Sequence, residues 1–242
     1  MSQSQELDVI AASIRRELAA HGNEAIIKKY AKFFTEGYDA YGIDKDIWES
    51  LKTAFQQDYQ FLGLERLLEL GDMLLQSGKY EEASTAIILI QPFADEYTVN
   101  TFNRIGAWLR TGVRNWAHSD MICGALLLQF IKRNIITLAD FSSWKESPGK
   151  WQRRAVPVAM LEYLKRQPQY SQLLSLLDSL MHDPDRVVHQ GLGWFLREAW
   201  KKNPPPVEEF LLRYKDTAPR LIFQYATEKM TAEQKQRFKR SK

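Results

Sequence analysis

Three short segments combine side chains that could act on a ligand. In Asn115-Trp116-Ala117-His118-Ser119-Asp120 an indole and a carboxylate stand four residues apart, on one face of a helix. An aromatic plate beside a carboxylate suits a cation, which the ring face attracts and the carboxylate neutralises. The same pair would also fit a core tryptophan and an acid in a first helical turn. In Gly193-Trp194-Phe195-Leu196-Arg197-Glu198 the spacing is three, and an aromatic stands with a guanidinium. That combination meets a base or sugar with one group and a phosphate with the other; alternatively Trp194 is core and Arg197 pairs with a nearby acid. Gly191 and Gly193 leave room for something to approach the backbone closely. In Lys150-Trp151-Gln152-Arg153-Arg154, cations begin a helix where the dipole favours anions. Free backbone N–H groups with Arg153 and Arg154 beside them would hold a phosphate there, or the segment is an exposed basic turn.

Other chemistries are excluded by what is missing. No Gly-rich phosphate loop of the Walker type, no G-x-S-x-G elbow and no H-E-x-x-H occurs, which argues against a nucleotide hydrolase, a serine esterase or a zinc protease. His21, His118, His182 and His189 show no metal-ligand spacing, and His118 points to another side of its helix than Trp116 and Asp120. Neither a metal nor a cofactor is expected. The one cysteine, Cys123, cannot form an internal disulfide or a cysteine zinc site, so a reducing, cytoplasmic setting is expected. The first residues, Met1 to Glu6, lack the charge and apolar core of a secretory signal.

The elements that carry these segments read as helix after helix. Apolar residues recur at three- and four-residue spacing nearly everywhere, without alternating runs between hairpin turns. Leu7, Ile10, Ala11, Ile14 and Leu18 mark a first stripe, Asn23 caps a second helix reaching to about Gly37, and Asp44 opens a third. Further helices are expected over 60–77, 80–91, 96–111, 116–132, 150–166, 168–182, 185–202, 206–215 and 217–229. Breaks are expected at Gly78, Pro92, Gly112, 147–149, Pro168, 183–184 and 203–206, and Pro157 should kink its helix or displace its start. Short punctuated loops between such helices suit an all-α fold, an α-solenoid of degenerate HEAT-like repeats with a concave basic face. Residues 70–85 imitate one phrase of a tetratricopeptide unit, but no second copy follows.

The 242 residues are 45% hydrophobic and 26% charged, enough apolar content for a core, with a net charge of +3. No apolar run approaches the ~20 residues that span a bilayer, and no membrane partner is expected. Charge divides unevenly: residues 1–112 carry 11 Lys+Arg against 17 Asp+Glu, and residues 113–242 carry 22 against 13. The basic half, 113–229 with a basic tail at 230–242, is therefore where a polyanion site is expected within a single domain spanning 1–242.

Four tracts carry a resemblance to a known family. Tyr30 to Ile43 (YAKFFTEGYDAYGI), residues 114–123 (RNWAHSDMIC), 151–156 (WQRRAV) and 191–199 (GLGWFLREA) resemble the tracts of the AlkD-like DNA alkylation repair proteins, HEAT-like-repeat DNA glycosylases. The resemblance implies a hydrolase that excises 3- and 7-alkylpurines from double-stranded DNA. It implies Asp120 as the catalytic carboxylate, Trp116, Trp194 and Tyr30 lining the lesion site, and Arg154 and Arg197, with Arg153 beside them, on the DNA backbone. A monomer is expected. The other readings are a HEAT-like module that binds damaged or distorted nucleic acid without chemistry, and a protein-interaction scaffold.

Overall fold

The computed structural model describes residues 3–166 and 169–241, with side chains from Gln5 onward. The expected break at Pro168, the last cation Lys242 and the opening Met1-Ser2 lie outside the described residues. Among those described every regular element is helical, and no strand occurs. The chain divides into two compact units, Met1–Leu126 and Leu127–Lys242, where the sequence reading treats it as one array.

The first unit contains α1 (Gln3–Ala20), α2 (Glu24–Ala31), α3 (Lys45–Tyr59), α4 (Gly63–Gln76), α5 (Tyr80–Ile90), α6 (Val99–Ala107) and α7 (Trp116–Met121). α5 forms its centre: every residue from Glu81 to Ile90 is buried, and α1, α3 and α4 pack against it. The two buried acids at its start are compensated locally. Glu81 accepts the backbone N–H groups of Tyr41 (2.8 Å), Gly42 (2.9 Å) and Ile43 (3.4 Å). Glu82 accepts Arg15 Nε and the Tyr41 hydroxyl, each at 2.8 Å. Gly42 adopts φ +78°, and a Cβ there would lie 2.3 Å from the Asn23 carbonyl. The Gly-Ile end of the first tract is thus where the loop after α2 returns to the start of α2. Asn23 and Asp44 cap their helices as expected, accepting Ala25 N and Asp46 N, each at 2.9 Å. α2 ends at Ala31, earlier than the periodicity suggests, because the apolar pattern of Phe33 and Phe34 continues into a turn.

The second unit contains α8 (Leu128–Lys132), α9 (Lys150–Tyr163), α10 (Tyr170–Leu177), α11 (Arg186–Lys202), α12 (Pro204–Tyr214), α13 (Arg220–Ala226) and α14 (Ala232–Gln236). α11 lies between α9 and α13. Pro157 sits inside α9, which begins at Lys150 without displacement; a proline leaves the Arg153 carbonyl without an intrahelical donor. α12 starts at Pro204 rather than Pro206, since proline suits a first helical turn, where its N–H would be unpaired anyway. The basic tail is folded onto this unit: Thr231 and Gln234 form a capping box, Phe238 is buried, and Arg237 pairs with Glu208.

Two expected continuous helices contain widened π turns, at Trp108–Gly112 and at Ile122–Leu127. The second directly follows α7. Single π turns inside helices often accompany functional positions, because the extra residue redirects side chains around them.

Candidate functional site

In the first unit Trp116 opens α7, whose cap Asn115 accepts the His118 backbone N–H at 3.0 Å. Asp120 is half-buried one turn further on, on the same helical face as Trp116. Trp116 is 39% exposed, so it is no core residue. Its indole N–H donates to the Phe33 carbonyl at 3.0 Å, and its ring stacks on Phe34 with centroids 5.6 Å apart and planes 16° off parallel. Phe34 in turn stacks on Tyr38 at 4.6 Å and meets the edge of Tyr80 at 5.6 Å. Each such pair contributes about 0.5–1.5 kcal/mol beyond its burial, so the indole rests on a rigid aromatic bed. Tyr30 (40% exposed) lies 6.5 Å from the ring of Phe33, itself 55% exposed.

Phe33, Phe34, Tyr38 and Tyr80 escaped the sequence reading as site residues. The run of aromatics from Tyr30 to Tyr41 was the available signal, and only Tyr30 was taken from it as a site residue. Cations also surround this bed within the acidic half: Lys29 lies over Tyr30 and Lys32 over Phe33, at 5.4 and 5.2 Å. Net charge by halves averages over such a local group.

His118 lies on another side of α7 than Trp116 and Asp120, as expected, and there it faces inward and ties α7 to α5. Because the Asn115 side-chain oxygen accepts the His118 backbone N–H, its amide donates to Nδ1 at 3.0 Å. Nε2 then carries the proton and donates to Ser84 Oγ, also at 3.0 Å. Burial lowers the His118 pKa to about 4, only partly opposed by a hydrogen bond to the Tyr80 backbone. The folded state thus resists a proton that the unfolded chain takes up below pH 6.5, and stability should fall as pH drops from 6.5 to about 4. The expected slope from this one group approaches about 1.4 kcal/mol per pH unit. Chemical denaturation of His118→Gln across that range should show a flatter profile than the parent; parallel profiles would refute the assignment.

In the second unit Trp194 is half-buried on α11, with Arg197 one turn away. Arg197 donates to Glu198 at 3.0 Å and to Glu228. Its charge is therefore balanced in the free protein. Gly191 and Gly193 make room for the protein itself and not for a ligand. A Cβ at 193 would lie 2.5 Å from Tyr225 Cβ and 2.8 Å from the Ile222 carbonyl of α13, and one at 191 would lie 3.2 Å from Arg154 Cγ of α9.

The Lys150–Arg154 segment is neither an exposed basic turn nor open at its arginines. Trp151 through Arg154 are buried. Arg153 Nε donates to Asp183 at 2.6 Å and Nη1 to the Ser147 carbonyl at 2.6 Å, while Nη2 pairs with Asp185. Two carboxylates therefore offset the placement of a cation at a helix start, and Arg153 is committed within the fold. Arg154 is 5% exposed and donates to the Val187 carbonyl of α11 at 2.7 Å.

The site residues from the sequence thus form two sets: Tyr30, Trp116 and Asp120 in the first unit, and Arg153, Arg154, Trp194 and Arg197 in the second. Among the described residues no group of three or more His, Cys, Asp or Glu side chains is placed to hold a metal ion. No helix there is long and apolar enough to cross a membrane.

The fold is similar to that of a predicted DNA alkylation repair enzyme from Enterococcus faecalis. The TM-score is 0.73 at 15% identity, covering 88% of this chain and 98% of that one. AlkD2 from Streptococcus mutans gives a TM-score of 0.59 at 19% identity, covering 76% of this chain and 91% of that one. The smu.31 protein of Streptococcus mutans UA159 gives 0.58 at 19%, covering 74% and 91%. At these identities the likeness is one of fold. No curated protein matches the sequence. Residues 14–230, which include all seven residues of the two sets, match the sequence profile of the family described as DNA alkylation repair enzyme, and the chain belongs to that family of DNA repair proteins.

Proposed function

We propose that this protein is a DNA glycosylase that hydrolyses the N-glycosidic bond of positively charged 3- and 7-alkylpurines in duplex DNA. The observation that carries the reading is the Trp116–Asp120 arrangement: an exposed indole fixed on an aromatic bed, one helical turn from a half-buried carboxylate. With its N–H donated to the Phe33 carbonyl and Phe34 on one face, Trp116 offers a ligand its remaining π face and no hydrogen-bond donor. Such a surface favours cations, by about 0.5–2 kcal/mol per aromatic contact, over neutral bases that would need polar partners.

The chemistry follows from the charge of the lesion. Alkylation at ring nitrogen 3 or 7 makes the purine cationic, so breaking its bond to C1′ releases a neutral base and requires no general acid. Positive charge then develops on the sugar, where the Asp120 carboxylate stabilises it and orients the water that completes hydrolysis. In the second unit, Trp194 would offer the DNA an aromatic face of its own. Arg197 would meet a phosphate by exchanging Glu198 and Glu228 for the DNA backbone, whereas Arg154, buried and bonded to the Val187 carbonyl, would act on the backbone only through the placement of α11. The exchange lowers the net gain from the Arg197 contact but keeps that arginine in place beforehand.

The purified protein should release free 7-methylguanine from duplex DNA bearing that base, read by chromatography of the liberated base. Release should be faster from the cationic lesion than from any unmodified purine. Duplex binding without release would leave a module that recognises damaged DNA without chemistry, and the glycosylase reading would fail.

A further inference from the structure

We propose that Arg114 is a phosphate-contacting residue that holds the DNA backbone beside the Trp116 site. This inference rests on the DNA-binding reading above and adds a contact outside the four tracts' assigned arginines. Arg114 is exposed and stands two residues before Trp116. The backbone on both sides of it is fixed: Val113 N bonds the Trp108 carbonyl at 2.8 Å, closing the π turn, and Asn115 caps α7. Its guanidinium lies against the α4–α5 turn at Gly78, where φ is +76° and a Cβ would come within 2.3 Å of Nη1. The guanidinium thus packs against the bare backbone of this turn, and a side chain at 78 would displace it.

The charge of Arg114 is not spent. Among the described residues it donates only to the Gln76 carbonyl, at 3.4 Å, and has no carboxylate in ion-pair range. The contrast with four other arginines of the chain is direct: Arg104 pairs with Asp72, Arg15 with Glu82, Arg153 with Asp183 and Asp185, and Arg197 with Glu198 and Glu228. Those four must surrender a protein anion before they gain a phosphate, and Arg114 need not. A planar fork resting on the Gly78 turn, carried by a residue two positions before Trp116, is suited to bidentate phosphate recognition. A contact of this kind reads no sequence and no lesion, and acts by releasing counterions from the duplex.

The test compares Arg114→Gln and Arg114→Lys with the parent on a fluorescent, undamaged duplex, measuring Kd against salt, with thermal melting alongside. Arg114→Gln should weaken binding about tenfold at low salt. It should also make the log–log salt slope shallower by about 0.9, one phosphate's worth, while Arg114→Lys keeps the slope. A purely structural role at the Gly78 turn would lower the melting temperature without changing the slope, and that result overturns the proposal. So does parental affinity and slope in Arg114→Gln. A parent protein that binds no duplex at low salt overturns both this contact and the DNA-binding reading, whereas a parent that binds normally confines a failure to Arg114.

Discussion

Asp120→Asn should lower the single-turnover rate of 7-methylguanine release by about 10²–10³-fold while the protein still binds duplex DNA. The expected size follows from the role. Removing one preorganised group that stabilises developing charge typically costs about 2.7–4 kcal/mol, and here the carboxylate is the side chain assigned to the sugar cation. Asparagine keeps the shape and removes the charge. Asp120 is half-buried on a helix held by the Asn115 cap and the His118–Ser84 contact, so the amide should sit where the carboxylate does. Unchanged melting together with lost release would place the effect in the chemistry and not in folding. An Asp120→Asn protein that released the base at the parental rate would remove the carboxylate from the mechanism.

Arg153→Met should be the most destabilising of the arginine substitutions, by about 3–5 kcal/mol, because it strands a buried acid. The Asp183 side chain is 3% exposed and its pairing with Arg153 Nε spans 2.6 Å. Asp185 and the Ser147 carbonyl lose the same partner. Methionine retains much of the packing volume, which separates the electrostatic loss from a cavity. Urea denaturation would measure the change. The same variant decides between the two readings of this residue: at temperatures where it remains folded, the committed ion pair requires that its DNA affinity and salt slope match the parent. A folded Arg153→Met protein of parental stability but weakened DNA binding would restore Arg153 to the phosphate contacts and refute the structural assignment.

These cases separate what neighbouring residues dictate from what distant ones decide. The periodicity that assigned helices and the caps at Asn23 and Asp44 act within a few residues, so they were legible in the chain and the all-helical fold follows from them. The pairing of Trp116 with Asp120 and of Trp194 with Arg197 was legible for the same reason, since a helix alone places residues three or four apart on one face. The departures have long-range causes. Arg153 is neutralised by acids 30 and 32 positions away, and Arg197 by one 31 positions away. No local pattern announces such partners, so the Lys150–Arg154 segment looked freer than it is, while the alternative that Arg197 pairs with a nearby acid is the one the structure shows. Gly193 reads as open space until α13 is packed against it.

Local patterns along the chain were enough for the helical class, most helix starts and stops, and the small set of aromatic, acidic and basic residues with chemistry to offer. Which of those residues remain available depends on how distant segments pack. Availability depends on what fills the space beside a group, and for Trp116 that neighbour, Phe33, comes from 83 residues earlier in the chain. Burial and charge pairing are properties of that folded neighbourhood, so Arg153 is taken up inside the protein while Arg114 and Trp116 are left facing outward.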